Sequence, residues 1–302
     1  MLVRFKVARQ LIGAVLVLLV GLSASGSRAA QTAPAAIVPL PQSLRLYVFD
    51  CGLLNVTTEG VQRYHVTPAQ LGETRMAVPC FLVAHPRGTL MWDLGVIPDG
   101  DVDAQPQGAR ARFGGAFDAS VTRTLRSQLA VIGYRPADIT YVAFSHAHID
   151  HSANANGFAA STWLARAAER EFMWADNNPR VNPSFYTQLK NSQTVIIERD
   201  EYDVFGDGQV MIKFAPGHTP GHQVLIVGLA TTGRVMLSGD LYHYPQERTW
   251  RVAPPDNEAN VQQSVASRVM IEEYLRTTKT TLWIEHDFSA NAKLKKSPAY
   301  YE

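Results

Sequence analysis

The chain has 302 residues, with 28 basic and 27 acidic side chains for a formal charge of +1, and is 46% hydrophobic and 18% charged. That composition supports a full apolar core and argues against a disordered chain. Neither a basic bias nor a basic stripe is present, so no nucleic-acid partner is expected.

The first thirty residues are a separate region. Arg4, Lys6 and Arg9 precede an uncharged apolar run over residues 11–22, and Ser27-Arg28-Ala29 offers small residues for cleavage. This is the layout of a secretory signal peptide. The competing reading is a membrane anchor, but a spanning helix needs about 20 apolar residues and this run is shorter. Residues 1–30 are therefore expected to be removed, leaving a periplasmic or secreted protein without a stable membrane anchor. Residues 31–42, rich in Ala, Pro and Gln, read as a flexible lead-in, and 43–302 as the folded domain.

Residues 44–50 alternate and are rich in strand formers. Residues 78–84 and 89–93 flank a turn at 85–88 and read as a hairpin. The two cysteines, Cys51 and Cys80, fall in these runs. An exported protein can pair them, but free buried cysteines are common in such runs, and the balance leans to unpaired. Residues 95–118, with much Gly, Asp, Pro and Gln, read as a long loop or lid. Val121, Leu125, Leu129 and Ile132 share helical spacing, which predicts a helix over 121–132 stopped by Gly133. Residues 139–144 form a buried strand running into Ser145-His146.

The second half repeats the style. A strand over 162–165 precedes a helix over 167–174, and 176–186 is a loop insertion. Strands follow at 195–198, 210–215, 224–227 and 235–238, with turns at Gly206-Asp207-Gly208 and Thr231-Thr232-Gly233. Residues 261–277 form the last long helix, and 281–284 a final strand ending at Glu285-His286. Strands and helices alternate without barrel spacing, which predicts an α/β architecture of two sheets face to face with helices outside.

The strongest chemical signal is His146-Ala147-His148-Ile149-Asp150-His151, directly after a buried strand. Imidazole nitrogens and carboxylate oxygens are both good ligands for zinc and similar ions. In an extended turn, i and i+2 point the same way, so His146 and His148 suit one ion while Asp150 and His151 suit a neighbour. A polar loop with chance histidines is the bland reading; with nine histidines in the whole chain, three at this spacing weigh heavily against it. Further candidates also stand at strand ends: His218 and His222 in Pro216-Gly217-His218-Thr219-Pro220-Gly221-His222, Asp240 in Ser238-Gly239-Asp240, and His286 in Glu285-His286-Asp287. Each is weak alone, since a lone histidine is more often structural.

In this order, the motifs resemble the metallo-β-lactamase superfamily, from about residue 44 to the C-terminus, and Asp93-Leu94-Gly95 is similar to its D-x-G element. The resemblance implies a four-layer αββα sandwich. It also implies two divalent ions, expected to be Zn2+: His146, His148 and His218 on one, Asp150, His151 and His286 on the other, and Asp240 between them. An aspartate at the S-G-D position argues against a dedicated β-lactamase. Glyoxalase II-like enzymes share the seven ligands but carry a further C-terminal region, and only 16 residues follow His286 here. Ribonuclease Z-like enzymes would want a basic exosite.

Residues 204–208, 216–222, 238–243 and 293–298 are similar to the N-acyl-homoserine lactonase group. The resemblance implies a small-molecule lactone or ester substrate, with ring opening as the reaction and Asp150 or Asp240 carrying a proton to the leaving oxygen. In that group a tyrosine three residues after the bridging aspartate helps hold the substrate carbonyl. Here that position is His243, flanked by Tyr242 and Tyr244, so Tyr242 and His243 are the candidate oxyanion donors; equally, all three could simply wall the pocket. An acyl chain would lie under the 95–118 loop or the 176–186 insertion. Alternatives on the same fold are an organophosphate triesterase, a broad lactone or β-lactam hydrolase, and a non-catalytic metal-binding protein; a homodimer is left open. Blander readings apply to His222 as a structural hydrogen-bonder, to His65 and His85 as surface residues, and to Trp92, Trp163, Trp174 and Trp250 as core.

Overall fold

The computed structural model describes residues 38–302, apart from 106, 176–177, 251–253 and 255. The expected signal peptide and most of the lead-in lie outside the described residues, as do part of the 176–186 insertion and the Trp250 side chain. The strands in chain order are β1 (Arg45–Val56), β2 (Arg75–His85), β3 (Gly88–Trp92), β4 (Ala109–Phe113), β5 (Phe117–Val121), β6 (Tyr141–Ala143), β7 (Thr162–Ala165) and β8 (Thr194–Ile196). Then come β9 (Glu201–Asp203), β10 (Val210–Phe214), β11 (Gln223–Leu229), β12 (Gly233–Leu237), β13 (Thr281–Trp283) and β14 (Tyr300–Tyr301). One sheet runs β4-β5-β1-β2-β3-β6-β7-β8, with β14 also on β1; the other runs β13-β12-β11-β10-β9.

Successive strand side chains point to opposite faces, and the burial pattern uses both. Leu46 and Val48 of β1, Phe81 and Val83 of β2, and Leu90 and Trp92 of β3 pack with Val210, Ile212, Leu225, Val227, Val235 and Leu237, filling the space between the sheets. The alternate residues, Tyr47, Phe49, Cys80, Leu82 and Met91, face outward onto Leu125, Leu129, Phe158 and Met173. On the far side, Val224, Ile226 and Met236 pack with Ile271 and Leu275 of the Val261–Thr278 helix. Helix, sheet, sheet, helix is the four-layer αββα sandwich, and its strands are apolar on both faces because both are covered.

Four sequence expectations are corrected, the first being His85, read as a surface residue but buried, with Nε2 2.9 Å from Asp207 Oδ2 and its ring stacked on Phe205. Within 95–118 the chain forms a short helix at Asp99–Asp103 and the β4–β5 hairpin, which extends the large sheet along β1. Gly114 and Gly115, at φ 54° and 76°, make its turn, a conformation that suits glycine. Val121 therefore ends a strand, and the helix starts at Leu125 (Leu125–Val131), capped by Thr124, whose hydroxyl accepts the Ser127 N–H. Lastly, Cys51 and Cys80 form a disulfide across β1 and β2. The register between these strands shifts between Asp50 and Leu53, at Gly52 with φ 144°, and this bulge brings Cys51 within 5.8 Å of Cys80, Cα to Cα. Strand periodicity carries no sign of such a bulge, so the pairing was not legible.

β3, β6, β7 and β8 run parallel to one another, as do β12 and β13. The loops that leave β3, β6, β10, β12 and β13 carry Asp93, His146, His218, Asp240 and His286 respectively.

Candidate metal centre

The loop after β6 is held by Asp93, the residue that follows β3. Asp93 lies in the left-handed region at φ 53°, which aspartate tolerates better than most residues. Its Oδ1 accepts the Ser145 N–H at 2.7 Å, and this anchors the turn. His148 then caps the helical turn Ile149–Ser152, which projects Asp150 and His151. Gly239, at φ 48°, leaves β12 so tightly that a Cβ there would stand 2.4 Å from Ser145 Cβ. The first loop and the Asp240 loop can touch only because of that glycine.

The seven side chains expected to ligate converge in two groups, with ligand atoms within 4.8 Å in each: His146, His148, His218 and Asp240 in one, and Asp150, His151 and His286 in the other. His148 Nδ1 is 2.9 Å from His146 Nε2 and 3.0 Å from His218 Nε2. Asp240 stands between the groups. Its Oδ2 is 3.2 Å from His218 Nε2 and 3.6 Å from His146 Nε2. Its Oδ1 is 3.0 Å from His286 Nε2 and 3.2 Å from His151 Nε2. Asp150 Oδ2 closes the second group at 3.5 Å from His286 Nε2.

The chemistry of this set fits cations. Burial opposes charge on Asp240, yet His286, His151, His243 and His146 hold its carboxyl well below the usual range. Burial and neighbouring imidazoles push His146 and His148 well below theirs. Burial also opposes charge on His151, but Asp240, Asp150, Asp93 and Glu285 outweigh it and raise that imidazole well above its usual value. Meanwhile His151 Nε2 and Asp240 Oδ1 are buried without a hydrogen bond, which is costly unless another group satisfies them. Packed imidazoles and carboxylates with orphaned inward atoms form a metal-binding cluster.

The outer nitrogens are held as well. His286 Nδ1–H donates to Ala77 O at 2.7 Å, so that histidine is tied to β2 of the opposite sheet. His151 Nδ1 lies 3.2 Å from Ser145 Oγ and 3.4 Å from Asp93 Oδ2. His222 is buried beside the site, with Nδ1 2.9 Å from Ala215 O. It is a hydrogen-bonding partner of the site and not one of the converging ligands.

The structure separates the two candidate donors after Asp240. His243 lines the cavity, with Nε2 3.2 Å from Asp240 Oδ2 and Nδ1 3.4 Å from Glu247 Oε1. Tyr242 faces the other way: its hydroxyl bonds Glu272 Oε1 at 3.0 Å, its ring lies under Arg268, and it lines a different groove. The expectation that Tyr242 donates to the substrate oxygen is therefore corrected, because alternation along an extended segment turns it away from His243. Tyr244 packs on Tyr64, whose ring also meets His243 edge-on at 5.2 Å.

The metal cluster floors a cavity of about 720 Å3. Val96, Phe113 and Phe117 on one side and Pro179 to Asn182 on another place both expected loop regions on its walls. Tyr64, Glu169, Glu247 and Glu258 carry no motif, and sequence reading missed them. One signal existed for Glu169: it shares the buried face of the Ala167–Met173 helix with Met173, an odd place for an acid.

The family model of the metallo-beta-lactamase superfamily matches residues 74–275. The N-acyl homoserine lactonase AttM of Rhizobium radiobacter is 28% identical over 268 residues, covering 85% of this chain and 98% of that protein. An N-acyl homoserine lactonase of a Bacillus species is 27% identical over 244 residues, covering 78% and 90%. Among solved structures, an N-acyl homoserine lactone hydrolase with N-hexanoyl-L-homoserine at its catalytic metal center superposes at TM-score 0.70, with 22% identity, covering 85% of this chain and 98% of that one. AidC, a dizinc quorum-quenching lactonase, superposes at TM-score 0.60 with 19% identity, covering 88% and 95%.

Proposed function

The chain belongs to the metallo-beta-lactamase superfamily, and on that premise we propose that it is an exported, dinuclear metal-dependent hydrolase that opens the lactone ring of N-acyl-homoserine lactones, a quorum-quenching activity. The observation that carries the reading is Asp240, whose two oxygens serve two separate ligand groups on the floor of a partly apolar cavity. Curated relatives named as lactonases, aligned over most of their length, support the substrate class. The imidazole and carboxylate donors favour zinc.

Two divalent ions in such a cluster supply Lewis acidity and a low-pKa water for attack on the lactone carbonyl. The chain's own residues do the rest. Asp240 and Asp150 hold the cluster, and of the two Asp150, the more exposed carboxylate, would return a proton to the departing ring oxygen. His243 stands beside Asp240 with its imidazole edge on the cavity, placed to donate to the carbonyl oxygen as charge develops there. Glu247 accepts the N–H groups of His243 and Tyr244, both at 3.0 Å, and faces His243 Nδ1, which fixes the ring. Leu54, Val96, Phe113 and Phe117 offer the acyl chain a water-poor wall.

Export is supported by the leader pattern in residues 1–30 and by the buried Cys51–Cys80 pair, since disulfides persist in oxidising compartments. Cell fractionation tests it: recovery of full-length chain in the cytoplasm would refute it. The activity is tested with zinc-loaded mature protein on N-hexanoyl- and N-decanoyl-homoserine lactone, followed by proton release. A kcat/KM of about 10⁴ M⁻¹s⁻¹ or more is expected. A far lower value, with faster turnover of an aryl phosphotriester or a cephalosporin, would overturn the substrate.

A further inference from the structure

One buried carboxylate outside the ligand set touches the two loops that carry the three histidines of the first ligand group. Glu169 is only 4% exposed. Its Oε1 accepts the N–H of Ala147 at 2.7 Å, the residue between His146 and His148. Its Oε2 accepts the Thr219 hydroxyl at 2.7 Å and the Gly221 N–H at 2.9 Å, both in the turn that carries His218. Gly221 lies so close to the helix that a Cβ there would fall 2.4 Å from Glu169 Cβ and 2.6 Å from its backbone N. The far side of the same turn is held by backbone bonds: Ala259 N–H to His218 O at 3.1 Å and Asn260 N–H to Gly217 O at 2.9 Å.

A buried carboxylate is expensive unless its lone pairs are filled, and here three donors fill them, all from the two ligand loops. The second ligand group receives nothing from this side chain. His286 hangs on Ala77 O, and His151 leans on Ser145 and Asp93.

We propose that Glu169 is a positioning residue that clasps the His146/His148 loop to the His218 turn, setting the ion affinity of that group while leaving the Asp150/His151/His286 group near its native affinity. The inference rests on the two-ion reading above. Without the clasp, three ligands must be ordered at the moment of binding instead of beforehand, and the cost falls on one ion. Gln at position 169 keeps the shape but turns an amide N–H toward a donor, which releases one of the two loops. Thr219→Val removes a single bond and leaves Gly221 in place.

The test is chelator titration of zinc-loaded wild type, Glu169→Gln and Thr219→Val, with ions per chain counted by mass spectrometry and the cobalt-substituted proteins followed by their visible spectra. In Glu169→Gln one ion per chain should leave at roughly 10–100-fold lower chelator, while the other stays at wild-type affinity. Thr219→Val should move the same ion by less. Adding His286→Ala should then strip the ion that remained. Equal weakening of both ions, or of neither, would overturn the clasp. A wild type that holds a single ion would sink the two-ion reading instead, and Thr219→Val would still decide the clasp by whether that ion is weakened.

Discussion

The backbone N–H of Asp240 donates to Nε2 of His222 at 3.0 Å. With Nδ1–H donating to Ala215 O at 2.9 Å, His222 is held as the neutral Nδ1–H tautomer. It is locked between the strand end before the His218 turn and the residue that stands between the two ligand groups. Burial pushes its pKa down from 6.5 to about 4. A depressed histidine adds stability above its unfolded pKa and loses it as pH falls through the folded one. Between pH 6.5 and 4, wild type should therefore lose up to about 3 kcal/mol relative to His222→Gln. Urea unfolding of the metal-free proteins at several pH values measures this, and parallel curves would refute it.

Loss of Asp240 should be more damaging than loss of any single supporting residue, because both groups lean on it. Asp240→Ala is expected to lower kcat/KM by more than the ~100-fold that supporting residues around metal sites reach, with fewer than two ions bound. Full turnover with two ions would remove Asp240 from its proposed place.

His243 and Tyr242 are adjacent and should behave oppositely. His243→Ala is expected to lower kcat by about 100- to 1000-fold with KM little changed, the range for losing one oxyanion donor. Tyr242→Phe should leave kcat/KM within about twofold and cost roughly 1 kcal/mol of stability through its bond to Glu272. The reverse pattern would return the donor role to Tyr242.

Phe113 and Phe117 tie the β4–β5 hairpin to the cavity. Alanine at either should reduce kcat/KM for a decanoyl lactone by about tenfold, the low end of what one methylene is worth in an apolar pocket, and change a butanoyl lactone much less. An equal loss on both chain lengths would count against an acyl role for this wall.

The Cys51–Cys80 bond closes a stretch of 29 residues. Chain-entropy reasoning puts its contribution at about 3–4 kcal/mol, so the double alanine variant should unfold at clearly lower urea. Both sulfurs are buried far enough that mild reductant alone should act slowly.

The converging cluster was legible because each of its loops follows a strand whose apolar run is easy to see, and histidines at i and i+2 after a strand have few other uses. Strand and helix positions in the sandwich were legible for the same reason. The β4–β5 hairpin was not, because Ala109–Phe113 alternates arginines with small or half-buried residues and reads as polar. Tyr242 and His243 differ by one position in the chain, and only the turn after Gly239 decides which one faces the cavity. The supporting acids Glu169 and Glu258 face groups far along the chain, Ala147 N–H and Thr219 for the first and His218 Nδ1 for the second, and such partners leave no spacing in a sequence, whereas Glu247 stands four residues after His243.

His146, His148, Asp150 and His151 hang from the large sheet, whereas His218, Asp240 and His286 hang from the small one. Any ion they share is therefore a rivet through the sandwich, and pulling the layers apart means surrendering coordination. Heat resistance then becomes a function of free metal in the surroundings, rising by about 4 kcal/mol when the ion stands at a thousand times its dissociation constant. In a compartment where metal supply fluctuates, the same rivet would set how long each molecule survives as well as how fast it works.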